Sequence, residues 1–342
     1  MNKKNVVVFG ASGMLGSFLV NLLSEDGGFN VYAPNHSKCD ITNLESLEKA
    51  LRRMPFGRAD YIVNCAAYTN VFKAEHEDFD KSYLINVIGA DNIALAIHHG
   101  CFGQNVELIH ISTDYVFSEL CELNMGVVVK RKRGTCRFLD ACGYAPVNAY
   151  GMHKLQAEEV LRKHLGDEFT IFRVGWLYGC AYGLHEDSNK EDFITKVIKN
   201  AENSKIDFER SDSYRIDEDR PCIHMVTDGF SIPTSVKFVS ECLAEYMRNS
   251  MRYEVVQCCP CGTPTGRFNC AEIIVDALKI GVNVKPINVF DQNDDVLFDT
   301  AQRNLSVRYP KNSTMQQIIP YKFDKTDWKT QLLEYLKLYK KS

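Results

Sequence analysis

The sequence predicts an α/β fold, a doubly wound parallel sheet carrying a smaller lobe, on three observations. From residue 5 to about 180, short β-branched runs alternate with longer helical patterns, the signature of parallel strands covered on both faces. The connections between these runs are only a few residues long in most places, as strand–helix–strand units expect. The first run, Val6 to Phe9, leads directly into a glycine turn, Gly10-Ala11-Ser12-Gly13-Met14-Leu15-Gly16.

Each element follows in order. Val6 to Phe9 is apolar throughout, which suits a strand buried on both faces, and Ser17 to Leu23 has the periodicity of the helix after the turn. Val31 to Ala33, Tyr61 to Asn64, Val106 to Ser112 and Thr170 to Val174 are the further strands; Leu44 to Arg53, Tyr83 to His98 and Tyr150 to His164 are the helices between them. Residues 118–146 and 180–222 interrupt the rhythm and are expected to be loops or added elements. Beyond residue 180 the alternation weakens, leaving helices at Ile194 to Ala201, Val236 to Arg248 and Cys270 to Lys279. Residues 1–180 are therefore expected to form a nucleotide-binding domain, and 181–342 mainly a discontinuous α/β substrate lobe with segments returning to the first domain.

Composition narrows the function classes. The 342 residues are 45% hydrophobic and 25% charged, enough to bury a substantial core. No stretch approaches the roughly 20 apolar residues of a membrane span, and Met1 to Lys4 lead into a strand rather than a signal peptide, so a cytoplasmic location is expected. A net charge of −4 argues against a general nucleic-acid surface, and the one basic run, Lys130 to Arg133, is expected to be a solvated loop. The thirteen cysteines are scattered through a large chain and are expected to be reduced thiols. Cys258, Cys259, Cys261 and Cys270 lack two separated ligand pairs, so no metal site is predicted.

The glycine spacing has a physical cause. Gly10 and Gly13 allow a tight turn and close approach of a pyrophosphate to the backbone around Ser12, Met14 and Leu15. Gly16 lets the following helix pack on the strand, and amides at the helix start face the phosphates. With a strand before and a helix after, this is a Rossmann-type dinucleotide turn. No carboxylate stands at the end of the second strand, and His36, Ser37 and Lys38 could meet a 2′-phosphate, so NADPH is expected, with NADH the alternative. Asp40 is placed either to cap a helix from Asn43 onward or to contact the adenine.

Tyr150 and Lys154 lie four apart at the start of a helix and share a face. An ammonium group beside a phenol, with the positive charge of an oxidised nicotinamide, brings the phenol towards a working pKa. Ser112 or Thr113, at a strand end, supplies a third hydroxyl to hold a substrate oxygen.

These residues resemble the extended short-chain dehydrogenase/reductase family, and within it the dTDP-4-dehydrorhamnose reductase-like branch. The likeness includes the glycine turn, Asp40-Ile41-Thr42, Asn64-Cys65-Ala66-Ala67-Tyr68-Thr69, Asn86, Ser112-Thr113-Asp114-Tyr115-Val116-Phe117, Tyr150 with Lys154 and Glu158, and Arg173 to Gly179. It continues more loosely through Phe230 to Thr234 and Arg303-Asn304. The resemblance implies a catalytic triad of Thr113, Tyr150 and Lys154. It places Ile41 beside Asp40 in the cofactor site, with Cys65, Ala66 and Ala67 lining it. It implies that Asp114, Tyr115 and Trp176 approach a nucleotide-sugar substrate, a 4-keto-6-deoxy sugar reduced at C4. Core packing is the alternative for Trp176, and a strand-end cap the alternative for Asp114.

Departures from the family pattern are Val71-Phe72 where Val-Asp is usual, Ser118-Glu119 where Asp-Gly is usual, and a longer segment between Phe117 and Tyr150. Phe18 replaces an acidic residue that some relatives use in a magnesium-linked dimer, so metal-mediated dimerisation is not expected while a homodimer as such stays open. Two other functions compete: a non-catalytic NADP-binding regulator resembling the methionine adenosyltransferase beta subunit, and a sugar-nucleotide epimerase or dehydratase. Dehydratases of this kind place Asp-Glu after the strand-end Thr, whereas Asp114-Tyr115 stands here.

Overall fold

The computed structural model describes residues 3–117, 146, 148–183, 191–210, 220–227, 230–287 and 327–339. The basic run, Arg303-Asn304, residues 118–145 and, within 180–222, residues 184–190 and 211–219 lie outside them.

The central sheet has six strands, all parallel: β1 (Lys4–Phe9), β2 (Phe29–Tyr32), β3 (Tyr61–Asn64), β4 (Glu107–Thr113), β5 (Phe169–Val174) and β10 (Val255–Cys258), in the order β2-β1-β3-β4-β5-β10. Between β1 and β3 the chain reverses its direction of travel across the sheet, and the carboxyl ends of the strands open a crevice there.

The two-residue period of the strands sorts their side chains. Val6 and Val8 join one core with α1 (Met14–Glu25) and α6 (Val236–Arg248). Val7 and Phe9 join the opposite core with α2 (Leu44–Leu51), α3 (Gly89–His98) and α4 (Ala149–Leu165). In α1 the buried residues Leu15, Leu19 and Leu23 recur every four positions, the stripe a helix needs to cover a sheet. Although α6 and β10 come late in the chain, α6 packs along α1 and β10 closes the sheet edge beside β5.

A third core joins α5 (Phe193–Arg210), α7 (Arg267–Leu278) and α8 (Trp328–Leu336) with the parallel pair β7 (Cys222–Val226) and β12 (Asn283–Ile287). Short pairings link this lobe to the sheet: β6 (Leu177–Tyr178) with β9 (Thr234–Ser235), and β8 (Phe230–Ser231) with β11 (Thr265–Gly266). Among the described residues, no helix is long and apolar enough to cross a membrane, and no group of side chains has the makings of a metal site. Ten cysteines are described, all as free thiols, including Cys258, Cys259, Cys261 and Cys270.

Candidate active site

The crevice is a cleft of about 550 Å³ lined by the glycine turn, the segment after β2, the ends of β3 and β4, and the start of α4. That size lies within the range of cofactor and ligand sites. Its floor is the turn itself. Gly10 has φ +74°, and a Cβ there would lie 2.5 Å from the Ala66 nitrogen. A Cβ on Gly16 would lie 2.2 Å from the Gly10 carbonyl oxygen. Both positions exclude every other residue because backbone meets backbone.

Gly13 is the N-cap of α1, with no side-chain cap and no acidic residue in the first turn. The first amides of that helix therefore face the cleft beside Ser12, Met14 and Leu15 without a protein partner of opposite charge. These features fit the pyrophosphate of a dinucleotide.

At the far end of the cleft lie His36, Asp40 and Ile41. Asp40 does not cap α2; Asn43 does, accepting the Ser46 amide at 2.9 Å, while Asp40 Oδ1 accepts from the Thr42 amide and hydroxyl. His36 is exposed and sits 3.8 Å from Asp40. Ser37 is exposed outside the cleft wall, its hydroxyl bonded to Asn35.

The middle wall is formed by Cys65, Ala66 and Ala67 after β3. Asn64 fixes their path by accepting the Ala66 amide at 3.1 Å. Asn86 does the same from the other side, accepting from the Tyr68 amide and donating to the Tyr68 carbonyl. It can reach because the chain forms a π-helical turn at Leu84–Ile88, a distortion that is often found at functional sites.

Tyr150, Thr113 and Tyr115 converge at the inner end. The Tyr150 phenol faces the Thr113 hydroxyl, which itself donates to Asp114 Oδ1 at 3.2 Å, and its ring meets the Tyr115 ring edge-on with centroids 5.6 Å apart. Burial, then the nearby Tyr115 and Asp114, push the Tyr150 phenol well above its ordinary range, with the Thr113 contact opposing. Burial also pushes Tyr115 up to about 12. The Ser112 hydroxyl is unavailable as the third hydroxyl, since it donates to buried Glu158 at 2.6 Å; Thr113 holds that position. Glu158 also pairs with buried Arg173.

Lys154 lies in the cleft wall but does not bond the phenol. Its Nζ donates to the Ile111 carbonyl at 2.7 Å and lies 3.0 Å from His110 Nε2. Burial pushes the ammonium down to about 8, with Glu158 and Cys65 opposing.

Asp114 is buried below the cleft wall rather than in it, accepting from Ser231 and Thr113. Trp176 lines the cleft, its ring against Phe193. Sequence reasoning missed Arg267, whose guanidinium lies 5.5 Å from the Trp176 ring centroid and near enough to Tyr115 to oppose the rise of its phenol. It opens α7, where no alternation signals a site. It also missed His110, whose signal is one imidazole inside the apolar run Leu108 to Ile111.

The family model of the RmlD substrate binding domain matches residues 4–341. A dTDP-4-dehydrorhamnose reductase of Mycolicibacterium smegmatis is 35% identical over 175 residues, 51% of this chain and 46% of that protein. A dTDP-4-keto-6-deoxy-D-glucose reductase of Streptomyces niveus is 34% identical over 197 residues, covering 56% and 57%. The Escherichia coli (strain K12) dTDP-4-dehydrorhamnose reductase is 27% identical over 288 residues, covering 81% and 80%. The matches thus span about half the length of the first two relatives. Among solved structures, the Bacillus anthracis dTDP-4-dehydrorhamnose reductase in complex with NADP has a TM-score of 0.70 at 25% identity, covering 98% and 99% of the chains. The Clostridium acetobutylicum structure has a TM-score of 0.71 at 24% identity, covering 98% and 99%.

Proposed function

The chain belongs to the RmlD substrate binding domain family, and on that premise we propose that it is an NADPH-dependent reductase of a nucleotide-linked 4-keto-6-deoxy sugar. The observation that carries this reading is the buried Tyr150 phenol facing Thr113 at the inner end of a cleft floored by a dinucleotide turn. The NADP in the Bacillus anthracis relative supports the cofactor assignment, and the names of the curated relatives support the substrate class.

The uncapped start of α1 and the glycine turn would hold the pyrophosphate; Cys65, Ala66 and Ala67 would flank the nicotinamide half; Asp40, Ile41 and His36 would border the adenosine end. When bound, reduced nicotinamide supplies a hydride to a carbonyl carbon. Tyr150, kept protonated through neutral pH by its buried surroundings, gives its proton to the carbonyl oxygen as negative charge grows there. The Thr113 hydroxyl, turning its one hydrogen from Asp114, would steady the charge growing on that oxygen. Tyr115 and Trp176 present ring faces and edges suited to a sugar, and Asp114 stiffens the wall through Ser231 and Thr113.

A panel of nucleotide-linked 4-keto sugars, followed by loss of reduced-nicotinamide absorbance, tests the reading. Oxidation of one NADPH per alcohol formed is expected. A tightly held cofactor regenerated at each turnover would point instead to an epimerase or dehydratase. No oxidation on any sugar, with altered kinetics of an added methionine adenosyltransferase, would make the chain a regulator.

A further inference from the structure

Arg267 is a half-buried cation in the cleft wall, and no carboxylate among the described residues pairs with it. The two acidic cleft residues beside Phe193 in the chain are engaged elsewhere: Glu191 pairs with Lys199, and Asp192 accepts the Gly179, Cys180 and Thr195 amides. The guanidinium lies over two rings instead, 5.5 Å from the Trp176 centroid and 5.9 Å from that of Phe193. Such contacts fix the group in place without using up its fork of N–H donors. Arg267 also opens α7, whose N-cap Gly266 offers no side-chain acceptor and whose first turn has no acid, so the positive end of the helix adds to its field.

Two tyrosines fix where this charge stands relative to the chemistry. Arg267 is near enough to Tyr115 to oppose the rise of its phenol, and the Tyr115 ring meets that of Tyr150 with centroids 5.6 Å apart. The guanidinium therefore stands about one aromatic ring beyond the proton donor. In a nucleotide-linked 4-keto sugar, the carbonyl at C4 and the phosphate on C1 stand across the hexose ring from each other. With the carbonyl at Tyr150, the phosphate-bearing end of the sugar falls one ring away. We propose that Arg267 is a specificity-determining residue that grips the diphosphate of the nucleotide-linked substrate; this rests on the reductase reading and deepens it.

The phosphates of the cofactor have other partners. Its pyrophosphate is assigned to the glycine turn and the uncapped start of α1. Of the three basic side chains in the cleft wall, His36 lies at the adenosine end, and Lys154 is held by the Ile111 carbonyl. Arg267 is left for a second polyanion. A planar fork of donors suits a diphosphate, since a guanidinium makes paired, charge-assisted hydrogen bonds to phosphate oxygens. Trp176 and Phe193 shield one side of the group from water, which strengthens each such bond.

Calorimetric titration of the NADPH-loaded protein with thymidine, uridine and guanosine diphosphates tests the contact without turnover. The parent should bind at least one of them, and Arg267→Met should bind that one about 10–100-fold more weakly, the usual worth of charge-assisted bonds. NADPH affinity should stay within about twofold, and with a reducible sugar the loss should fall on KM rather than kcat. Equal diphosphate affinity in parent and variant overturns the proposal. So does an equal loss of NADPH affinity, which would place the arginine on the cofactor. The same nucleosides without phosphates should bind both proteins alike; a matching loss on the bare nucleoside also overturns it, and makes Arg267 a support for the Trp176 and Phe193 rings. Should Arg267→Met fail to fold, Arg267→Gln removes the same charge with a polar side chain and is read in the same way. If the parent binds no nucleoside diphosphate, the nucleotide-sugar reading fails and the proposal with it. If the parent binds one and the variant binds it equally, that reading stands and only the role of Arg267 falls.

Discussion

Removing the carboxylate of Glu158 should strongly destabilise the fold. Glu158 and Arg173 are both fully buried, and Arg173 Nε donates to Glu158 Oε1 at 2.9 Å. Glu158 also takes the Ser112 hydroxyl and sits 3.5 Å from Arg162. In Glu158→Leu the guanidinium stays in the core without its counter-charge, and such a loss is worth about 3–5 kcal/mol. At about 2–4 °C per kcal/mol for a domain of this size, Tm should fall by roughly 6–20 °C. Glu158→Leu combined with Arg173→Met should recover most of that loss, because the pair as a whole contributes far less than breaking it costs. Calorimetry or chemical denaturation of the two single variants and the double variant measures the coupling. A Tm for Glu158→Leu within about 2 °C of the parent would refute the reasoning. So would a double variant that melts at the sum of the two losses. A second reading comes from the same variant: since the Glu158 carboxylate supports the Lys154 ammonium, Lys154 should titrate still lower without it.

Tyr150→Phe should retain NADPH binding and lose about 10²–10⁴-fold in kcat, as expected for removal of a general acid; undiminished turnover would remove Tyr150 from the chemistry. Gly13→Val should weaken cofactor binding in a folded protein, because a Cβ there meets nothing nearer than 3.3 Å. Gly16→Ala should unfold or strongly destabilise the chain, because its Cβ collides with the Gly10 carbonyl; thermal melts and NADPH titration separate the two effects. Stability should rise with pH from about 8 towards 10, because the unfolded chain binds a proton at Lys154 that the folded chain has released. The slope from this one site is at most about 1.4 kcal/mol per pH unit. Lys154→Met should lack it; equal slopes in both proteins would contradict the depressed Lys154.

The parallel sheet was readable because its strands are buried on both faces. Tyr61–Asn64 begins and ends as the apolar run does, and β1, β4 and β5 differ from expectation by one or two residues at their ends. The helix expected from Tyr83 to His98 is instead a π-helical turn followed by α3. Its periodicity is continuous, and only the diversion of Asn86 to the Tyr68 backbone breaks it. Strand β10 went unseen, since four residues among cysteines and polar groups carry too little pattern to show a period. In the site, the glycine turn, Thr113, Tyr150 and Trp176 were legible from local spacing and resemblance. The contacts of His110 with Lys154 and Asn64 were not, because they join residues 44 and 46 positions apart, and nothing local records that separation.

The late arrival of α6 and β10 bears on how the chain is made. When a ribosome has released residues 1–180, five of the six sheet strands exist, but Leu15, Leu19 and Leu23 still lack the covering Leu243, Tyr246 and Met247. At about 5–20 residues per second, the roughly 80 residues that remain before β10 emerges take several seconds. Throughout that interval β5 presents an unpaired edge beside an oily helix groove, the kind of surface on which nascent chains aggregate. Growth temperature and chaperone supply should therefore govern the yield of this protein more than the melting point of the finished fold.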